Sequence, residues 1–249
     1  MLFLFIIYMS KDFKMTFSEH IEELRQRLFF TLIILVVFAL LSIFKISDII
    51  KFLQLPAQGI RFLQLAPGEY FFVSFKVAFI LSILCTLPFF LYQMTMFILP
   101  GLTRKEQKIF TFIIFIGYLL FILGLIFCYF ILIPRALKFF INYGAEIIEP
   151  FWSFKQYFDF ILVLLISTGV TFELPIVQLL LSFFNLVSYE QMWKAWRYIL
   201  FVSTVIGAVL TPSTDPFTQL LFALTFLILY MFGILLIFLV KDKFSKNFL

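Results

Sequence analysis

The sequence predicts an all-α membrane protein of six transmembrane helices, kinked in places and with one short span. Three observations point there. Only 13% of the 249 residues are charged, against about a quarter in a soluble domain. The uncharged runs are long enough to cross a hydrocarbon core about 30 Å thick, which takes roughly 20 residues of helix. Apolar residues also continue around each run instead of alternating with the period of two that a membrane barrel requires.

In chain order the runs are 28–44, 77–103, 109–134, 157–184, 198–214 and 216–240, all uncharged but the fourth, which carries acidic residues, and they are joined by short loops. Together they form a single membrane domain over 16–240, with a basic tail at 241–249 and no room for a soluble domain. Residues 1–15 are expected to be a variable extension. Their apolar opening is too short to span, its positive residues follow it instead of preceding it as in a signal peptide, and Met15 is an alternative start. With the N-terminus on the cytoplasmic side, 12 of the 19 lysines and arginines fall on that side. The positive-inside rule therefore places both termini there. The net charge of +5 reads as contact with anionic lipid, not with nucleic acid. Cys85 and Cys128 both lie in apolar runs and read as packing residues without a disulfide.

The chemistry begins in SEHIEELRQR at 18–27, pressed against the first span. Thr16 with Glu19 fits a capping box, which predicts a helix start at that point. On the helix Ile21, Leu24 and Leu28 share one face, and the acids spread over the other. Glu22 stands three residues before Arg25 and Glu23 four before Arg27, spacings that favour ion pairs. Such pairs are expected in an ordinary helix end anchored at the headgroups. The segment after the second span, PGLTRKEQK at 100–108, is basic except for Glu106, which is free to pair with Arg104 or Lys105. Both acidic positions nevertheless fall on one membrane surface. Two carboxylates there suit two guanidinium groups, because arginine's planar fork makes two parallel hydrogen bonds that lysine cannot match.

With these residues in hand, the chain resembles the TatC family, the multispanning receptor subunit of the twin-arginine protein translocase. The resemblance rests on HIEELRQR at 20–27, LAPGEYFFVSFKVAF at 65–79, LPFFLYQ at 87–93, FILPGLTRKE at 97–106, FELPIVQ at 172–178 and LTPSTDPFTQ at 210–219, in family order. The wording is similar to the cyanobacterial and plastid branch. The resemblance implies export of folded proteins whose signal peptides carry paired arginines, driven by the proton gradient. It makes Glu23 and Glu106 the signal-peptide site, with Arg25, Phe97 and Pro100 beside them. Glu22 is an extra acid that leaves the dominant contact open between itself and Glu23. Pro88 and Gln93 match a second-span pair, and Glu173 matches an acid on the concave face where single-span TatA- and TatB-type subunits dock. The implied setting is a homo-oligomer within a hetero-oligomeric complex in a plastid thylakoid membrane, with a cyanobacterial or mitochondrial inner membrane as the alternative.

Physical reading of the remaining elements adds further expectations. Glu173 interrupts the fourth span, where an ionised carboxylate costs about 2.5 to 3.5 kcal/mol. Protonation, pairing with Gln93 or pairing with a partner helix would each offset that. Pro88 and Pro175 are expected to kink spans two and four. The strongly apolar part of span five is short, which calls for local thinning of the bilayer or for a turn held inside it. In that turn Pro212 belongs to the TPSTDP run, and Asp215 before Pro216 reads as a helix cap followed by a first residue. Trp193, Lys194, Trp196 and Arg197 read as interface anchors, and His20, the only histidine, as a structural group at headgroup level. A small-solute transporter or channel would need more polar groups at mid-membrane than Glu173 and Gln93. An enzyme would need a nucleophile with a base or a metal set; none is visible, so no catalytic residue, cofactor or metal is expected.

Overall fold

The structure, a computed structural model, describes residues 17–144, 151–210 and 216–248. Thr16, Pro212 and Asp215 lie outside the described residues. Helix α1 (Phe17–Phe44) is followed by a short amphipathic α2 (Ile46–Gln54) and strand β1 (Arg61–Leu63). Next come α3 (Glu69–Ile98), α4 (Arg104–Phe127), a π-helical turn at Cys128–Leu132 and α5 (Ile133–Gly144). Strand β2 (Phe151–Ser153) then leads to α6 (Phe154–Thr171), α7 (Leu174–Phe183), α8 (Tyr189–Lys194), α9 (Trp196–Leu210) and α10 (Pro216–Phe248).

Among the described residues five helical stretches are long and apolar enough to span a membrane: Ser18–Phe44, Glu69–Gly101, Glu106–Tyr143, Phe154–Phe183 and Pro216–Leu239. Helix α9, with 15 residues, rises only about 22 Å. It is the short element expected as span five, and it falls below the length of the other five.

Three expectations are corrected. The connection after the first span is not a short loop. It carries α2, which buries Ile50 and Leu53, and it carries β1, which pairs in parallel with β2, Arg61 opposite Phe151 and Leu63 opposite Ser153. Lys45, Lys51 and Arg61 interrupt this stretch, yet α2 buries one apolar stripe. The second correction concerns Pro175, which does not kink a continuous helix. The chain leaves helix after Thr171, passes through Phe172 and Glu173, and restarts as α7 with Pro175 in the first turn, where its missing N–H costs nothing. Pro88 does lie inside a continuous α3. The third correction concerns the third span, which does not stop near Pro134. The π turn passes the chain directly into α5, and Pro134 occupies its first turn.

Two cores hold the bundle together. One joins α2, α3, the π turn, α5 and α6 through Val77, Cys128, Leu132, Phe158 and Ile161. Tyr129 and Tyr157 donate their hydroxyls to the Phe52 and Leu53 carbonyls, each at 2.7 Å, and so tie α2 to it. The other joins α4, α7, α8 and α10 through Ile113, Ile176, Leu179, Met192 and Ile234. Glycines permit close approach between helices, as is usual in bilayers, where burial of apolar surface cannot drive association. A Cβ on Gly124 would stand 2.7 Å from Phe172 Cγ, and one on Gly169 would stand 2.8 Å from Phe121 Cε2.

Candidate functional site

Helix α1 packs almost wholly on α3, and near its start polar side chains make the contact. His20, Glu23, Arg27 and Thr31 recur at helical spacing toward α3. Ile21 and Leu28 are 52% and 40% exposed, so the apolar stripe of this amphipathic helix faces outward. In a soluble protein the two faces would be exchanged; beside lipid the polar face is the one that needs protein partners.

Both predicted ion pairs form. Arg25 Nη2 donates to Glu22 Oε1 at 2.6 Å, with the arginine side chain 76% exposed. The pair of Arg27 and Glu23 is buried to 16% and 19% side-chain exposure. Arg27 Nε donates to Glu23 Oε1 at 2.9 Å, and Nη2 donates to the same oxygen. Arg27 Nη1 reaches across to Gln93 Oε1 on α3 at 3.1 Å. Gln93 therefore belongs to this site and does not pair with Glu173, which corrects the expected intramembrane role. It lies far along the sequence from Arg27, and only the packing of α1 on α3 brings them together.

Glu23 Oε2 is buried without a hydrogen-bond partner among the described residues. His20 Nδ1 stands 3.7 Å from it. The imidazole stacks on Phe97, centroids 4.1 Å apart and planes within 12°. Phe97 thus packs against His20 beside Glu23, a contact that the sequence reading does not include. The spacing of His20, three residues before Glu23, was the available signal.

Phe97 lies near the end of α3, followed by the 3-10 turn Leu99–Gly101 that contains Pro100. Gln107 Nε2 pins this turn by donating to the Leu99 and Leu102 carbonyls at 2.9 and 3.1 Å. Helix α4 opens with a full capping box. Glu106 Oε2 accepts from the Thr103 N–H and hydroxyl, each at 2.8 Å, and the Glu106 N–H donates back to the Thr103 hydroxyl. Because α1 begins where α3 ends, half-buried Glu106 and half-buried Glu23 stand at the same end of the bundle. Lys108 is exposed on the same turn. This arrangement holds carboxylates ready beside an aromatic shelf and suits a cationic, extended or helical peptide.

Glu173 sits at the break between α6 and α7. A Cβ on Gly117 would be 2.9 Å from Glu173 Oε2, so the glycine leaves room for the carboxylate, and Oε1 is buried without a hydrogen-bond partner among the described residues. Arg197 lies over the Trp196 ring at 5.8 Å, in keeping with interface anchoring. Cys85 and Cys128 are both free.

Sequence reasoning passed over two polar links at the opposite end. Glu69, 5% exposed, accepts from the Leu65 and Ala66 N–H groups at 2.7 and 3.1 Å, from the Lys155 N–H at 2.7 Å and from the Ser153 hydroxyl at 3.2 Å. Lys76 on α3 donates to Asp159 on α6 at 2.6 Å.

The model of the family described as Sec-independent protein translocase protein (TatC) matches residues 19–225. A tatC-like protein ycf43 of Porphyra purpurea is 54% identical over 93% of this chain and 91% of its own length. The Sec-independent protein translocase protein TatC of Synechocystis is 47% identical over 90% of this chain and 88% of its own. The chloroplastic protein TATC of Arabidopsis thaliana is 48% identical over 89% of this chain and 66% of its own. A crystal structure of the twin arginine translocase receptor TatC superposes with a TM-score of 0.78 at 31% identity, covering 89% of this chain and 99% of the other. The family model and the full-length relatives agree with the fold, and this chain belongs to the TatC family.

Proposed function

We propose that this protein is the multispanning receptor subunit of a twin-arginine translocase, and that Glu23 and Glu106 receive the paired arginines of a signal peptide. The observation that carries the reading is the state of Glu23. One carboxylate oxygen is fixed by Arg27, itself held by Gln93, and the other is left without a hydrogen-bond partner. An ionised acceptor already oriented and partly desolvated binds a guanidinium more strongly than a free surface carboxylate does. Glu22 is already bound by Arg25 and Gln26 and stands more exposed, which favours Glu23 for the dominant contact. Arg25 holds Glu22 away from it, and Phe97 and Pro100 shape the shelf between Glu23 and Glu106. The cargo class is protein, and the activity is transport rather than catalysis.

In this reading the Glu23 end faces the cytoplasm or stroma, with both termini there and α9 as the sixth, short span. The plastid and cyanobacterial relatives support a thylakoid setting. Glu173, half-buried and with its Oε1 lacking a partner among the described residues, is the docking point for a polar group of a single-span partner. The complex couples to the proton gradient and contains several copies of this chain.

Photo-crosslinking to a folded twin-arginine precursor from positions 26 and 102, which adjoin Glu23 and Glu106 and leave both carboxylates in place, tests the reading, with the twin-lysine precursor as control. Crosslinks from both positions that disappear with twin lysine are expected. Equal crosslinking of both precursors, or contact with neither position, overturns the assignment. Charge reversal of Glu23 and Glu106 together is expected to abolish crosslinking while the protein still elutes as a folded species.

A further inference from the structure

We propose that His20 is the positioning residue of the arginine subsite. Its ring, held flat against Phe97, stands over the one oxygen of Glu23 that Arg27 leaves open, admitting a guanidinium when neutral and excluding it when charged. The assignment rests on the reading of Glu23 given above and concerns which oxygen takes the ligand and what controls access to it.

The geometry divides the Glu23 carboxylate into two halves. Arg27 donates twice to Oε1, and Gln93 fixes Arg27 from the neighbouring helix. Oε2 is buried, has no hydrogen-bond partner among the described residues, and faces His20 Nδ1 at 3.7 Å. That separation is too long for a hydrogen bond, so a neutral imidazole leaves the oxygen available. The same separation is short enough for an ion pair once the ring is protonated. The near-parallel stack on Phe97, 4.1 Å between centroids, prevents the ring from turning away. An incoming guanidinium and the imidazolium then compete for one oxygen.

The charged groups of α1 near His20 are Glu19, Glu23 and Arg27. From α3 the neighbours are Phe97 and Gln93, neither charged, and the start of α4 brings Arg104, Lys105, Glu106 and Lys108 to the same end. His20 is the only histidine in the chain, and histidine is the side chain whose ordinary change of charge falls between pH 5 and 8.

The test uses the full-length protein in lipid nanodiscs and a fluorescent twin-arginine peptide free of histidine, with anisotropy read at pH 8 and pH 6. An ion pair of this exposure weakens a competing ligand by roughly fivefold. The wild type is therefore expected to bind about fivefold more weakly at pH 6. His20→Phe, which keeps the stack and removes the charge, and His20→Gln are both expected to bind equally at the two pH values. Wild-type affinity that does not change with pH overturns the proposal, as does a pH step that survives in both variants. Failure of the peptide to contact Glu23 at pH 8 overturns the underlying reading of the site, and this assignment with it.

Discussion

Glu69 is the acid whose removal should damage this fold most. Its two oxygens divide between two segments: Oε2 takes the Leu65 and Ala66 N–H groups, and Oε1 takes the Lys155 N–H and the Ser153 hydroxyl. The β1 to α3 connection and the start of α6 are thereby tied through one carboxylate that is 5% exposed. All four partners donate, so only an acceptor with two equivalent oxygens satisfies them. Glu69→Gln keeps one oxygen and turns an NH₂ group toward a pair of donors. Losing two hydrogen bonds to a charged group, at about 1.5 to 3 kcal/mol each and less than additive, predicts a loss of about 2 to 4 kcal/mol. For a chain of this size that lowers the unfolding midpoint by roughly 5 to 12 °C. Thermal unfolding in detergent, followed by intrinsic tryptophan fluorescence, reads the shift, and peptide binding at the opposite end should survive below the new midpoint. A midpoint within about 2 °C of the wild type would refute the reasoning, because the four bonds would then hold nothing together.

The remaining predictions use the same unfolding assay. Gly124→Ala drives a methyl into Phe172, where a Cβ would lie 2.7 Å from Cγ; a loss of about 1 to 3 kcal/mol is expected, and Phe172→Leu should recover part of it. Glu173→Leu removes a buried oxygen without a partner among the described residues and should leave the midpoint unchanged or raise it, while precursor binding persists and transport fails. Simultaneous loss of binding and stability would mean that Glu173 serves folding instead. Lys76→Met should cost more than Lys76→Met combined with Asp159→Asn, since the single change strands a carboxylate whose present partner is 2.6 Å away. Equal costs would show that the ion pair does not couple α3 to α6.

The length and polarity of the runs made the helical spans legible, because the bilayer imposes both. Local pairs were legible too: Glu22 with Arg25 and Glu23 with Arg27 follow from helix geometry alone. Links between helices were not. Sequence alone offers Gln93 as one possible partner for Glu173 because both are polar residues within apolar spans, yet registry of α1 on α3 delivers Gln93 to Arg27. Glu69 gave no warning, since a first-turn acid after Pro-Gly reads as ordinary helix capping and its second pair of donors arrives from residues 153 and 155. Pro175 was expected to bend a helix because sequence spacing does not reveal that the preceding turn has already opened. The outward apolar face of α1 was hidden by a rule for water-soluble helices that reverses where lipid is the solvent.

The reversal also explains why recognition chemistry sits on the first helix. Only 11% of the apolar 18-residue stretch within Ser18–Phe44 is buried within the protein, against 67% of the corresponding stretch within Phe154–Phe183. Few side chains of α1 are fully buried, and near its start the polar and aromatic links are those of Arg27 to Gln93 and His20 to Phe97. The groups that orient Glu23 for a ligand are thus the same groups that link the start of its helix to α3. A substitution at Gln93 or Phe97 should consequently weaken peptide binding through the position of Glu23. That loss differs from loss of the carboxylate itself, because it shrinks when α1 is held to α3 by an engineered crosslink farther along the pair. Loss that persists in the crosslinked protein would mean that Gln93 or Phe97 touches the peptide directly.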